Sequence, residues 1–142
     1  MRVLGVDFGA KRIGLAVSDP TGTIATPLET LQRRTGKRPP VAEIARIAES
    51  LGVEHVVLGL PLDLRGEEND WCREVREVGR KIAERLGVSV SFVDERLSSV
   101  RAGRAVRESG LKKSERERKE RVDAAAAQLI LQAWLDAPGI AR

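Results

Sequence analysis

Only one cysteine, Cys72, occurs in the 142 residues. That excludes an internal disulfide and any zinc site built on several thiolates. A catalytic thiol needs an activating base, and the single histidine, His55, belongs to a different apolar segment, so Cys72 beside Trp71 reads as core. His55 itself, on an apolar strand, reads as structural. Tyrosine is absent and aromatics make up 3% of the chain, leaving few rings on which unstacked bases could lie. No apolar run approaches the roughly 20 residues of a membrane helix. Met1-Arg2-Val3 passes straight into a strand pattern, so no signal peptide is expected and the cytoplasm is the expected location. Asparagine occurs once, at Asn69, in an Arg-rich chain, a composition that fits heat adaptation.

What remains is a chain suited to one domain spanning 1–142, with 42% hydrophobic residues and no linker or repeat. Its formal charge is +4 and its pI about 9.7, in the range that points to nucleic-acid partners. The charge is unevenly spread. Between Arg96 and Arg121 ten basic residues face four acids, a net +6, so the rest of the chain nets −2. A solvated helix face accounts for such a run as readily as a phosphate-binding surface does; its placement between two acids discussed below favours the second.

The apolar periodicity predicts strands over 2–7 and 13–17, a short third strand at 23–26, and a loop over 32–40 expected to be mobile. A helix follows from Val41 to Leu51, then a buried strand 54–60, a helix from Trp71 to Leu86 and a strand over 88–93. Ser98 is placed to cap a helix running to Ser109. The charged segment 111–121 then leads into a final helix with the stripe Val122, Ala126, Leu129, Ile130 and Ala133. A hairpin followed by strand–helix crossovers implies an α/β fold, with a mixed central sheet of about five strands and helices on both faces.

Three acids sit where apolar elements begin or end. Asp7 closes Val3-Leu4-Gly5-Val6, Asp94-Glu95 follows Val88–Val93, and Asp123 precedes four alanines. Two of them have an ordinary explanation: Asp7 as a turn residue, Asp123 as an acid favoured by a helix N-terminus. Should they meet, two carboxylates about 4 Å apart repel by roughly 4 kcal/mol at an effective dielectric near 20, and a hard divalent cation removes that cost. Neighbouring strand residues face opposite sides, so only one of Asp94 and Glu95 can enter such a site; spacing alone does not choose. Gly9 and Gly59 end strands where a backbone or phosphate can come close, and Lys11 and Arg12 lie in the first turn. Ser98 and Ser99 open a helix, a place that favours anions.

Taken in order, Val6-Asp7-Phe8-Gly9 with Arg12-Ile13-Gly14, Gly59-Leu60-Pro61-Leu62 with Gly66, Asp94-Glu95-Arg96-Leu97-Ser98-Ser99, and Asp123-Ala124-Ala125-Ala126 resemble the YqgF/RuvX family over roughly residues 1–136. The resemblance implies an RNase H-like fold and a nuclease, either maturing the 5′ end of pre-16S ribosomal RNA or resolving Holliday junctions. It places the family's catalytic and metal-binding acids on Asp7, Glu95 and Asp123, and so selects Glu95 over Asp94. The expected cofactor is Mg²⁺ or Mn²⁺, with Asp7 bridging two ions about 3.5–4 Å apart. Lys11, Arg12, Arg96, Ser98, Ser99, Lys112, Lys113, Arg116 and Lys119 are the expected nucleic-acid contacts. RNA processing ranks above junction resolution, which would call for a homodimer on a two-fold substrate. A nucleic-acid-binding assembly factor with an idle site is the non-enzymatic alternative. An ATP-dependent phosphotransferase of the actin/sugar-kinase type, which also begins with an Asp-x-Gly hairpin, generally needs two such domains.

Overall fold

Strand β1 (Arg2–Phe8) lies at the centre of a five-stranded sheet, and the rest of the chain is built outward from it. The computed structural model describes residues 1–33, 38–97 and 115–137, with side chains left out at 97 and 115–121. β1 pairs antiparallel with β2 (Arg12–Ser18), which pairs antiparallel with the edge strand β3 (Ala25–Gln32). On its other side β1 runs parallel to β4 (Val53–Leu60), and β4 parallel to the second edge strand, β5 (Ser89–Asp94). The strand order is β3-β2-β1-β4-β5. Helices α1 (Val41–Ser50) and α2 (Asp70–Leu86) precede β4 and β5, and the long helix α3 (Glu115–Asp136) closes the described chain.

The alternation of side chains along each strand divides the core in two. Leu4, Val6, Phe8, Ile13, Leu15, Val56 and Leu58 face α1 and α2, where Ile44, Ala48, Val75 and Ile82 meet them. Val3, Ala16, Val57 and Val93 point the other way, onto Ala126, Ala127, Ile130, Leu131 and Trp134 of α3. Three strand glycines shape this second face. A Cβ on Gly5 would come within 2.7 Å of Leu131 Cβ, one on Gly14 within 2.0 Å of the Asp123 carbonyl oxygen, and one on Gly59 within 2.5 Å of Ile130 Cδ1. Their missing side chains let the alanine-rich turns of α3 lie directly on the sheet.

Local signals explain the element ends. Asn69 caps α2 by accepting from the Cys72 amide at 2.9 Å, and Gly87 stops it in the left-handed region at φ +68°. Cys72 is buried there, its thiol 3.3 Å from the Pro61 carbonyl oxygen. His55 stacks on Trp134 with ring centroids 4.7 Å apart and shares a hydrogen bond with Ser91 Oγ at 2.8 Å, a packed structural role.

Three expectations need correcting. The third strand is not a short one over 23–26 but runs from Ala25 to Gln32, taking the start of the expected loop. Pro27, which argues against a strand, is tolerated because β3 is an edge, and the pairing is irregular between Gly14 and Ala16, beside Pro27. The last helix begins at Glu115, inside the charged segment. Leu129, expected in its apolar stripe, is 39% exposed, whereas Ala127, Leu131 and Trp134 are buried. The helix expected over 98–109, and residues 34–37 of the expected loop, lie outside the described residues.

Candidate active site

The sheet carries the site through its pairing register. Asp7 pairs with Gly14 across β1 and β2. On the other side it lies one step beyond the Val6–Leu58 pair, which brings it alongside Gly59 of β4. Asp7 shares the sheet face of Gly5 and Val3, the face covered by α3. Each glycine beside it carries one of the other two acids. The backbone of Asp123 lies on Gly14, and Glu95 Oε1 stands 2.8 Å from where a Gly59 Cβ would be. Two strand spacings, about 10 Å, therefore separate the glycines over which Asp123 and Glu95 sit, with Asp7 between them. All three acids are buried, at 5% exposure for Asp7, 6% for Glu95 and 7% for Asp123.

The start of α3 at Glu115 removes one ordinary explanation for Asp123. A carboxylate gains from the helix dipole within the first turn, and Asp123 is two turns further in. Its partner is instead Arg12, whose Nε donates to Asp123 Oδ2 at 2.7 Å across 111 positions of sequence. Arg12 and Gly14 lie on the same side of β2, so the strand that supports the Asp123 backbone also carries the cation that holds its side chain.

Asp94 and Glu95 part at the end of β5, where the chain enters a short 3₁₀ turn, Glu95–Leu97. Glu95 turns onto Gly59, while Asp94 accepts from Arg96 through Nε at 3.0 Å and Nη2 at 2.7 Å. The Arg96 guanidinium also packs over Gly66 and reaches the Leu64 carbonyl oxygen at 3.4 Å, so it fastens the 61–69 loop to the end of β5.

The first turn is similarly closed. The Gly9 amide donates to the Arg12 carbonyl at 3.0 Å, and a Cβ there would meet that oxygen at 2.5 Å. The Gly9 glycine thus serves the turn itself. Lys11 is exposed at the tip. Arg33, which sequence reasoning did not single out as a site residue, locks this turn: its amide donates to the Lys11 carbonyl at 2.8 Å and its Nη1 to the Gly9 carbonyl at 3.0 Å. Its guanidinium lies 4.6 Å from the centre of the Phe8 ring, which stacks on Trp71 at 5.5 Å. No local motif marks Arg33, because its partners lie more than 20 residues away, at the end of β1 and in the turn that follows it. Gly14 could have been found, since a lone glycine inside a strand signals close backbone approach. Ser98, Ser99, Lys112 and Lys113 lie outside the described residues; Arg116 and Lys119 belong to the described backbone of α3 but not to the described side chains.

The donor set suits a hard divalent cation. Three buried carboxylates supply hard oxygens, the glycines let two of them lie close to the sheet, and a guanidinium already sits where one carboxylate needs positive charge. Among the described residues no three such side chains are drawn together closely enough to hold an ion as they stand. Asp123 is held on Arg12.

The chain matches the family model described as "RuvX: Holliday junction resolvase" over residues 1–137. It belongs to the RuvX family. A protein of Myxococcus xanthus named "Putative pre-16S rRNA nuclease" is 44% identical over 137 residues, covering 96% of this chain and 89% of that protein. A relative of the same name from Kineococcus radiotolerans is 47% identical, covering 94% and 71%. Among solved structures, Thermus thermophilus RuvC in complex with a Holliday junction substrate superposes with a TM-score of 0.60 at 19% identity, over 94% of each chain. RuvC alone gives 0.55 at 18%. At that identity the likeness establishes the fold of this RuvX protein, which is RNase H-like, as its motifs imply. No helix among the described residues is long and apolar enough to cross a membrane.

Proposed function

We propose that this RuvX protein is a nuclease that hydrolyses phosphodiester bonds in the 5′-end maturation of pre-16S rRNA, acting in the cytoplasm. The observation that carries the reading is the burial of Asp7, Glu95 and Asp123 on one face of the sheet, over Gly14 and Gly59. Burying three acids is costly unless positive charge is supplied to them; a divalent cation would supply it, and the net basic charge of the chain suits a phosphate-bearing partner. The names of the curated relatives support RNA as the substrate.

Asp7, Glu95 and Asp123 would hold Mg²⁺ or Mn²⁺, which supplies Lewis-acid charge at the scissile phosphate. The chain's own residues do the rest. Gly14 and Gly59 keep the sheet low enough for α3 and the Glu95 side chain to lie directly against it. Arg33 and the Gly9–Arg12 bond fix the turn that carries Arg12. Lys11 at the exposed tip, with Lys112, Lys113, Arg116 and Lys119, offers charge to the nucleic-acid backbone, and Ser98 and Ser99 offer hydroxyls.

The description of the family model favours a second substrate, the four-way DNA junction, on which a homodimer would match the two-fold symmetry. Precursor 16S rRNA and a four-way junction incubated side by side with Mg²⁺, Mn²⁺ or EDTA decide between them. Cleavage of the rRNA precursor with either metal, abolished by EDTA and by Asp7→Asn, is the expected outcome. Cleavage of the junction alone would transfer the protein to recombination. Binding of RNA without cleavage, and full complementation by Asp7→Asn, would make it an assembly factor.

A further inference from the structure

We infer that Arg12 is an internal counter-cation that competes with the divalent ion for Asp123, so that loading the site requires the guanidinium to let go. The inference rests on reading the three acids as the metal site. Arg12 Nε and Asp123 Oδ2 are 2.7 Å apart, and both side chains are largely enclosed, with 19% and 10% of their surfaces exposed. In that environment leaving the Asp123 carboxylate without a counter-charge is costly, and the structure pairs it with a cation that the chain itself carries.

The arrangement separates what is fixed from what can move. The Asp123 backbone is pressed onto Gly14, and α3 is seated on the sheet over Gly5 and Gly59. Asp123 can therefore turn toward Asp7 only by rotating its side chain. Arg12 has a long, rotatable side chain and retains some access to solvent. Its own main chain is secured by the Gly9 amide and, one residue earlier, by the Arg33 amide on the Lys11 carbonyl. A divalent ion that draws Asp123 toward the other acids thus frees a guanidinium at the edge of the site, where it can meet a phosphate oxygen. The coupling is reciprocal: a phosphate that takes Arg12 strengthens metal binding, and metal strengthens phosphate binding. Arg12 is in this sense a positioning residue that ties metal loading to the presence of substrate. The absence of a ready three-acid cluster among the described residues and the Arg12–Asp123 pair are then two aspects of one state.

Calorimetric titration with MnCl₂ in the absence of nucleic acid tests this without reference to activity. Arg12→Gln should bind Mn²⁺ at least tenfold more tightly than the unaltered protein. Arg12→Lys, which keeps the charge, should stay within a few-fold of it, and Asp123→Asn added to Arg12→Gln should abolish the gain. Should Arg12→Gln be poorly folded without metal, its melting temperature should rise more with saturating Mn²⁺ than that of the unaltered protein, by mass action on the folded form. Equal or weaker Mn²⁺ binding by Arg12→Gln, or an equal or smaller Mn²⁺-dependent rise in melting temperature, overturns the inference. Failure of every form, the unaltered protein included, to bind Mn²⁺ overturns instead the metal reading beneath it.

Discussion

Gly14 lies so close under Asp123 that a single methyl group on it would stand 2.0 Å from the Asp123 carbonyl oxygen. The obstacle is backbone in a buried helix, which cannot rotate away as a side chain can. Gly14→Ala must lift α3 from β2, and Asp123 goes with it. Overpacking of an ordinary core site costs about 1–3 kcal/mol, and this substitution should reach or exceed the top of that range. Urea denaturation measures it. A variant of unchanged midpoint would show that the helix does not bear on this strand.

Asp7→Asn tests the chemistry with the least disturbance, because the amide nearly matches the carboxylate in size. Asp7 sits between Gly14 and Gly59 in the register, the glycines over which Asp123 and Glu95 lie. Losing its charge should lower cleavage by about 100-fold or more, the scale on which a preorganised electrostatic group acts, and should weaken Mn²⁺ binding while the fold persists. Glu95→Gln should behave likewise. Asp94→Asn, altering the acid paired with Arg96, should retain most activity. Loss on Asp94→Asn with retention on Glu95→Gln would reverse the assignment of the two neighbours.

How much of this could be read from the sequence depended on whether the deciding contact was local. The helix from Val41 and the helix ending at Gly87 carry complete apolar stripes and their own stop signals, and both appear as expected. β3 was less legible: an edge strand needs apolar residues on only part of its length, and Pro27 speaks against it. The beginning of α3 was hidden because residues 115–121 have no apolar stripe to betray a helix. At the site, Asp7 and Glu95 were legible as acids at strand ends; Asp123, expected to open the last helix, lies two turns inside α3, and family resemblance was what singled it out. The bond from Arg12 to Asp123 was not legible, since it joins positions 111 residues apart and leaves no spacing to detect. Nor did spacing separate Asp94 from Glu95, whose side chains part at the 3₁₀ turn after β5; only the resemblance preferred Glu95.

Stability should also respond to pH through His55. Burial holds its imidazole below the ordinary pKa of 6.5, so the folded chain favours the neutral ring against Trp134. The unfolded chain takes up its proton first as pH falls. The contribution of His55 is therefore complete above about pH 6.5 and is lost as pH drops from there toward the lower folded-state value. Urea midpoints at pH 7.5 and 5.5 should differ more in the unaltered protein than in His55→Gln. An equal pH dependence in both would show that this histidine does not carry it.

The basic run between Arg96 and Arg121, with its net +6, predicts how binding depends on salt. Each phosphate neutralised by the protein contributes about −0.9 to the slope of log affinity against log salt on duplex, and about −0.7 on single strands. Lys112→Ala and Lys113→Ala should each reduce the magnitude of that slope by about 1, and by the same amount for unrelated nucleic-acid sequences, because phosphates carry no sequence information. Asp7→Asn, expected to cleave poorly, with EDTA present allows the measurement on intact RNA, by filter binding across a range of KCl concentrations. A slope untouched by either substitution would mean that the charged run is a solvated surface, with the substrate held elsewhere. A slope lowered for one sequence only would mean that these lysines contact bases rather than the backbone.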